Sequence, residues 1–257
     1  MDALREEVAK LVLNIKKKPP ILTDAAATDA APSWIEGISS TDMTILLGLC
    51  LAIIAFYLAI HRSFPQSKQR AWLTSVPISS ALTVLGLMAF LKVETENKWE
   101  FEYIYGNETK QARLSVLLFL SYQITDFFIG FFHFSDQFTL LATYIHHTFY
   151  IWFMFYLLSN NYCNGFQIAF FMELPTAIMA VGMVFDRYRS DIGFGITFFA
   201  ARIVFHIYSL YRLFCVDKSM LPMRLCGVAL VIHLGWFKDW MSTYGTKYYK
   251  LWFKKVN

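Results

Sequence analysis

The chain has 257 residues, of which 56% are hydrophobic, 18% are aromatic and only 16% are charged. Soluble domains carry about 25% charged residues, whereas several uncharged runs here approach 20 residues, the length of a membrane-crossing helix. The formal net charge of +4 is small, and the absence of a basic stripe with interleaved aromatics argues against nucleic acid as a partner. We therefore predict an all-α, polytopic transmembrane helical bundle.

Residues 1–41 are the only clearly soluble segment and form a predicted N-terminal tail. Within residues 2–18, apolar side chains recur every three or four positions, which favours a short helix that ends at Pro19-Pro20. No apolar core follows the early charges, so the segment is not a signal peptide. Four dispersed cysteines without a CxxC pair predict neither a disulfide framework nor a zinc pattern.

Seven apolar segments follow, and the chain after residue 41 divides into three regions. Residues 42–70 hold the first transmembrane helix and a basic loop, residues 71–241 a larger transmembrane domain, and residues 242–257 a basic tail. The predicted spans are residues 43–60, 71–91, 114–132, 138–158, 163–185, 193–213 and 222–241. Only 13 uncharged residues separate Arg224 from Lys238 in the last span, so six spans is the alternative count.

The distribution of basic residues predicts the orientation of the spans. With seven spans, the basic connection after the first span, the arginines after the fifth and the lysines of the tail all lie on one side, which we assign to the cytosol. The acidic, irregular loop at residues 92–113 is then lumenal, and so is the N-terminus. This loop contains Asn107-Glu108-Thr109, an acceptor sequence for N-glycosylation in a lumenal segment.

The last four residues are Lys254-Lys255-Val256-Asn257. A cytosolic tail of the form Lys-Lys-X-X resembles the address that Golgi-to-ER retrieval coats recognise. The simpler interpretation is a basic segment that flanks the membrane. The address predicts a multi-pass protein of the endoplasmic reticulum membrane, with the retrieval coat as a partner.

Ionisable residues lie inside the predicted spans, where they are costly and commonly face a protein interior or a cavity. The 36 residues between Asp136 and Glu173 contain no Asp, Glu, Lys or Arg, but they do contain the pair His146-His147. The predicted topology places this pair at a depth similar to three ionisable residues on other spans: Asp126, Glu173 and Arg202. We expect the three charged side chains to neutralise one another or to bind histidine.

These residues have two interpretations. The first is interhelical hydrogen bonding that fixes the packing of the helices. For Asp126 with Arg202, this interpretation is at least as well supported as a functional site. The second is a buried polar site in which a histidine acts as general acid or base. A metal is not predicted, because adjacent histidines have poor ligand spacing on a helix and Glu173 and His206 would both have to join them.

The polar residues occur in the order typical of the TLC domain family, which the chain resembles over about residues 71–240. The matching residues are Trp72, Ser75, Tyr122, Asp126, His146, His147, Glu173 before Pro175, and Arg202. The resemblance implies a membrane bundle that acts on or binds lipids. In the ceramide synthases of this family, the histidines and acids are thought to carry acyl transfer from acyl-CoA.

The chain departs from the ceramide-synthase signature, which begins at the histidine pair. Tyr150 stands where that signature has Thr, and its two Asp positions fall on Leu174 and Ala177, although Asn161 matches. Ser79 and Ser80 stand where many family members have a histidine. The sequence thus resembles the wider family more than the ceramide-synthase branch.

Two functions follow from the resemblance. The first is a lipid-binding, lipid-sensing or lipid-homeostasis protein of the endoplasmic reticulum that has membrane lipids as partners and no cofactor. The alternative is an acyl-CoA-dependent N-acyltransferase in which His146 or His147 is the base or acyl carrier, Asp126 or Glu173 orients it, and Arg202 stabilises charge. A transporter is a weaker third interpretation, because no inverted repeat is evident.

Overall fold

The computed structural model describes residues 37–96, 98–135, 144–216 and 221–247. Within these ranges the chain is helical and has no strand, so the predicted all-α class is confirmed. The helix predicted within residues 2–18 and the dilysine at Lys254 and Lys255 lie outside the described residues.

The α-helices are numbered here in chain order. They are α1 Ser40–Ile60, α2 Ser67–Ala71, α3 Ser75–Thr95, α4 Lys110–His133, α5 His146–Ser159, α6 Cys163–Ala169, α7 Leu174–Val184, α8 Asp191–Phe198, α9 Phe205–Val216 and α10 Leu221–Trp240. A 3₁₀ turn at Phe170–Glu173 joins α6 to α7, and a π-helical turn at Phe199–Val204 joins α8 to α9.

Five helical stretches of the described residues are long and apolar enough to cross a membrane: Ser40–Ser63, Ser67–Thr95, Lys110–His133, Cys163–Val184 and Asp191–Val216. They correspond to the first, second, third, fifth and sixth predicted spans. The other two predicted spans contain α5, which has 14 residues in the described part, and α10, which has 20. Residues 138–143 of the fourth span lie outside the described ranges, so a total of seven spans stays a prediction.

The acidic segment at residues 92–113 is more ordered than an irregular loop, and this part of the prediction was wrong. Helix α3 continues to Thr95, and a further helical turn occupies Glu102–Gly106. Contacts of Glu94 order the end of α3. Its carboxylate accepts hydrogen bonds from the Trp99 indole at 2.8 Å and the Tyr208 hydroxyl at 2.5 Å. These contacts hold the end of α3 against α9.

A partly buried ion-pair network ties together the end of the bundle opposite the histidine pair. The Arg113 guanidinium donates to both carboxylate oxygens of Asp42 at 2.8 Å and to Glu108 at 2.6 Å. Asp42 also completes a capping box with Ser39 at the start of α1. Two hydrogen bonds from a guanidinium to one carboxylate favour a single geometry, so the pair fixes α1 against α4.

Helix α3 packs closely against the 3₁₀ turn at Phe170–Glu173. A Cβ atom on Gly86 would lie 2.2 Å from the Phe171 backbone nitrogen, so only glycine permits this approach. Pro175, near the start of α7, removes a backbone donor and favours a break from regular α-helix just before it. The consequence is that the Glu173 carboxylate lies beside α3, where Ser79 donates to it at 3.2 Å.

Candidate functional site

A cavity of about 460 Å³ lies at one end of the bundle. It is bounded by the starts of α3, α5 and α7, the second half of α4, the π-helical turn at Phe199–Val204, and α10. All five residues that the sequence singled out line it: Asp126, His146, His147, Glu173 and Arg202. The structure therefore brings together side chains that come from four separate predicted spans.

His147 and Asp126 form one polar pair on the cavity wall. The His147 Nε2 atom lies 3.6 Å from an Asp126 carboxylate oxygen, and its Nδ1 atom faces the backbone carbonyl of Gln123 at 3.3 Å. A carbonyl only accepts, so Nδ1 carries the hydrogen. Thr74 donates to the other Asp126 oxygen at 3.2 Å, and both sides of the pair are thereby fixed.

His146 is placed differently from its neighbour. Its ring packs against Tyr150, with centroids 4.7 Å apart, and lies 6.2 Å from the Trp236 ring. No hydrogen bond to the imidazole occurs within the described residues. Adjacent helical positions differ by about 100°, which is why one histidine is tied to α4 while the other meets the cavity with its ring nitrogens unengaged.

Glu173 and Arg202 form the second polar pair. The guanidinium donates to the Glu173 carboxylate at 3.3 Å, to the Thr176 hydroxyl at 2.8 Å and to the Met172 carbonyl at 3.0 Å. Arg202 lies in the π-helical turn, a local distortion that is frequent at functional sites. Of the two partners that the sequence left open for the arginine, the structure pairs it with Glu173, while Asp126 pairs with histidine.

Sequence reasoning missed His233, which extends this cluster through α10. Its Nε2 atom lies 3.4 Å from an Arg202 nitrogen, and its Nδ1 atom lies 3.2 Å from Nδ1 of His206. Arginine only donates, so His233 accepts at Nε2, carries its hydrogen on Nδ1 and donates it to His206. His206 then carries its own hydrogen on Nε2, which has no partner within the described residues. The available signal was a histidine within the uncharged stretch of the seventh predicted span.

Other residues that carried the family resemblance also lie here. Trp72 and Ser75 line the cavity, and the Ser75 hydroxyl is 2.8 Å from the Tyr122 hydroxyl, so these two groups share a hydrogen bond. Phe149, Phe153 and Tyr150 are aromatic residues of α5. They line a small adjoining void that shares Glu173 and Arg202 with the main cavity.

The chemistry available in the cavity is proton exchange and hydrogen bonding. Within the described ranges, no group of three or more His, Cys, Asp or Glu residues has a geometry that would hold a metal ion. The glycosylation candidate Asn107 does not line the cavity. It is exposed at the end of the Glu102–Gly106 turn, where its amide donates to Glu102 at 3.2 Å.

Comparisons with curated proteins and with solved structures gave no match. A comparison with protein families matched the TLC domain over residues 68–245. That match covers most of the chain and includes every residue of the cavity wall. With its long apolar helices, the chain belongs to the TLC domain family of multi-pass membrane proteins.

Proposed function

We propose that this TLC protein binds a membrane lipid in the cavity and affects the lipid composition of the endoplasmic reticulum membrane. The observation that carries the proposal is the 460 Å³ cavity in which Asp126, the histidine pair, Glu173 and Arg202 converge. Cavities of roughly 300–1,000 Å³ with a few convergent polar groups are typical of small-molecule sites. Ionisable side chains at membrane depth commonly mark such sites.

The wall has the two parts that a lipid needs. Polar groups cluster around Asp126 and Glu173, whereas the rest of the wall is largely apolar, with aromatic residues at Phe194, Phe198 and Trp236. The adjoining void is lined by further phenylalanines. A polar head among the ionisable residues and an apolar chain along the aromatic wall would each meet a matching surface.

Comparing the lipids of cells with and without the protein tests this proposal, and we expect an acyl-lipid class to change. The double variant His146→Ala, His147→Ala should abolish that change, since it removes both imidazoles from the cavity. His133→Ala is the matched control, because His133 is exposed at the end of α4 and lies off the cavity wall. Equal lipid changes for the wild type and a well-expressed double variant would assign the histidines to packing alone.

The alternative is an acyl-CoA-dependent N-acyltransferase, favoured by the contact between His147 and Asp126. An amine nitrogen would attack the thioester carbonyl, forming a C–N bond and breaking the C–S bond. His147 would take the amine proton at Nε2 and return it to the departing sulfur, so that coenzyme A leaves as the thiol. The hydrogen bond from Nδ1 to the Gln123 carbonyl would orient the ring, and Asp126 beside Nε2 would stabilise the imidazolium. His146, whose imidazole has no hydrogen bond in the described part, is the alternative base or acyl carrier. Transfer of a labelled acyl group to an amine by the purified protein, reduced about 100-fold or more in His147→Gln, would establish this reaction.

Residence in the endoplasmic reticulum is also part of the proposal, with the N-terminus lumenal and a retrieval coat bound to Lys254 and Lys255. We expect the double variant Lys254→Ser, Lys255→Ser to move the protein to the Golgi in fluorescence images. Lys247→Ser, Lys250→Ser removes the same charge outside the last four residues and serves as control. Retention of the first variant in the endoplasmic reticulum would refute the coat interaction.

A further inference from the structure

The charges around the cavity restrict the head group that it accepts. Among the described residues, Arg202 is the only lysine or arginine on the wall. Its guanidinium already donates to Met172, His233, Glu173 and Thr176, which uses four of its five N–H groups. A phosphate is normally bound by guanidinium or ammonium donors, and here the available guanidinium is committed to protein acceptors.

The remaining formal charge on the wall is negative. The Glu173 carboxylate is compensated by Arg202. The Asp126 carboxylate accepts a hydrogen bond from Thr74 and lies 3.6 Å from Nε2 of His147, which carries no hydrogen when Nδ1 donates to Gln123. The Asp126 side chain retains 23% of its surface exposure, and it lines the cavity. It therefore presents a hydrogen-bond acceptor to a ligand and opposes a second anion.

The Gln123 amide lies one helical turn before this carboxylate on α4. Gln123 is 3% exposed and lines the same cavity. Its amide oxygen has no hydrogen-bond partner within the described residues. A buried acceptor without a partner is unfavourable, and rotation of the Gln123 amide toward the cavity would let a ligand donor remove that cost.

We propose, on the basis of the lipid-binding function above, that the cavity takes a neutral lipid whose polar group is a hydroxyl donor and that it rejects phosphate heads. Asp126 is the acceptor and Gln123 lies beside it as the second polar contact. A hydroxyl is favoured over an ammonium group because Thr74 already donates to one Asp126 oxygen, so the carboxylate alone would not satisfy the three N–H donors of an ammonium group. A buried ammonium would need full compensation at membrane depth.

Three probes with one chain length test the head group: oleyl alcohol, oleylamine and oleyl phosphate. The purified full chain is placed in phosphatidylcholine nanodiscs, and binding is measured as the shift in the thermal unfolding midpoint against probe mole fraction. We expect the alcohol to bind at least about 10-fold more tightly than the phosphate and no more weakly than the amine. Binding of the phosphate within about threefold of the alcohol would overturn the proposal, and so would an amine that binds more tightly than the alcohol.

The variant Asp126→Asn tests the role of the carboxylate. It keeps a hydrogen-bond acceptor but removes the charge, so the preference for alcohol over phosphate should fall to about threefold or less. Asp191→Asn is the control, because Asp191 pairs with Arg189 away from the cavity. An unchanged preference in a folded Asp126→Asn variant would contradict the assigned role, and the wild-type panel tests the head-group selection if that variant does not fold.

The experiment separates this inference from the function on which it rests. If no oleyl probe and no co-purified lipid binds the wild type, both the lipid-binding function and the head-group selection are wrong. If lipids bind but phosphate heads bind as well as hydroxyl heads, the lipid-binding function stands and the head-group selection alone is overturned.

Discussion

Replacing Gly86 by alanine is expected to lower the free energy of unfolding by about 3 kcal/mol. The added Cβ would lie 2.2 Å from the Phe171 backbone nitrogen and 2.6 Å from the Phe170 carbonyl carbon. These neighbours are backbone atoms, so no side-chain rotation relieves the clash. Helix α3 would have to move away from the turn that carries Glu173, and thermal or denaturant unfolding in detergent measures the cost.

Gly48→Ala is the matched control for this substitution. A Cβ at Gly48, in the middle of the exposed face of α1, would meet nothing within 4 Å. Alanine is the better helix former by about 1 kcal/mol, so the control should be neutral or slightly stabilising. If Gly86→Ala is as stable as Gly48→Ala, the close approach of α3 to the Phe170–Glu173 turn is incorrect.

Arg202→Gln is expected to destabilise the protein by roughly 3–5 kcal/mol. The substitution leaves the Glu173 carboxylate, 15% exposed, without its cationic partner, and it removes donors from Thr176, Met172 and His233. The cost should fall when Glu173→Gln is added, because the second change removes the unpaired charge. Unfolding of both single variants and the double variant gives the coupling between the two residues.

Arg212→Gln is the control for the loss of an arginine. Arg212 stacks over the Trp99 and Tyr208 rings at partly exposed positions off the cavity wall, and such cation–π contacts contribute about 1–2 kcal/mol. Additive effects of the Arg202 and Glu173 substitutions would mean that the two side chains do not interact, and the charge balance assigned to the cavity would be wrong.

The sequence predicted which residues converge because two of its signals are strong. Uncharged runs of about 20 residues locate helices, and charges within them are expensive enough to require partners. Helical rise then placed Asp126, His146 and Arg202 at similar depths. These arguments predict a similar depth for the three residues, and the structure places them on one cavity wall.

The sequence could not predict which ionisable side chains pair with each other, because depth along a helix does not determine which helices are neighbours. Arg202 was compatible with either Asp126 or Glu173. The choice depends on Gly86, which brings α3 against the Phe170–Glu173 turn, and on the π-helical turn that directs Arg202 toward it. Both are local departures from regular packing, and periodicity does not predict them.

His233 was missed for a related reason. It lies on α10, which corresponds to the span with the weakest apolar signal, and its ionisable partners come from α9 and the preceding π-helical turn. A single histidine on a doubtful helix has no sequence neighbour that indicates a cluster. Only the packing of α10 against α9 shows that Arg202 has a histidine partner on its other side.

Blocking the cavity with a large side chain tests most directly whether the cavity holds a lipid. Met179→Trp places a large ring on the cavity wall, whereas Met88→Trp places the same ring on the lipid-exposed face of α3, where Met88 is 55% exposed. The measurement is the lipid that co-purifies with each protein, quantified by mass spectrometry per mole of folded chain. We predict that the wild type and Met88→Trp retain the same lipid while Met179→Trp loses most of it. Retention of that lipid by a stable Met179→Trp protein would contradict the account.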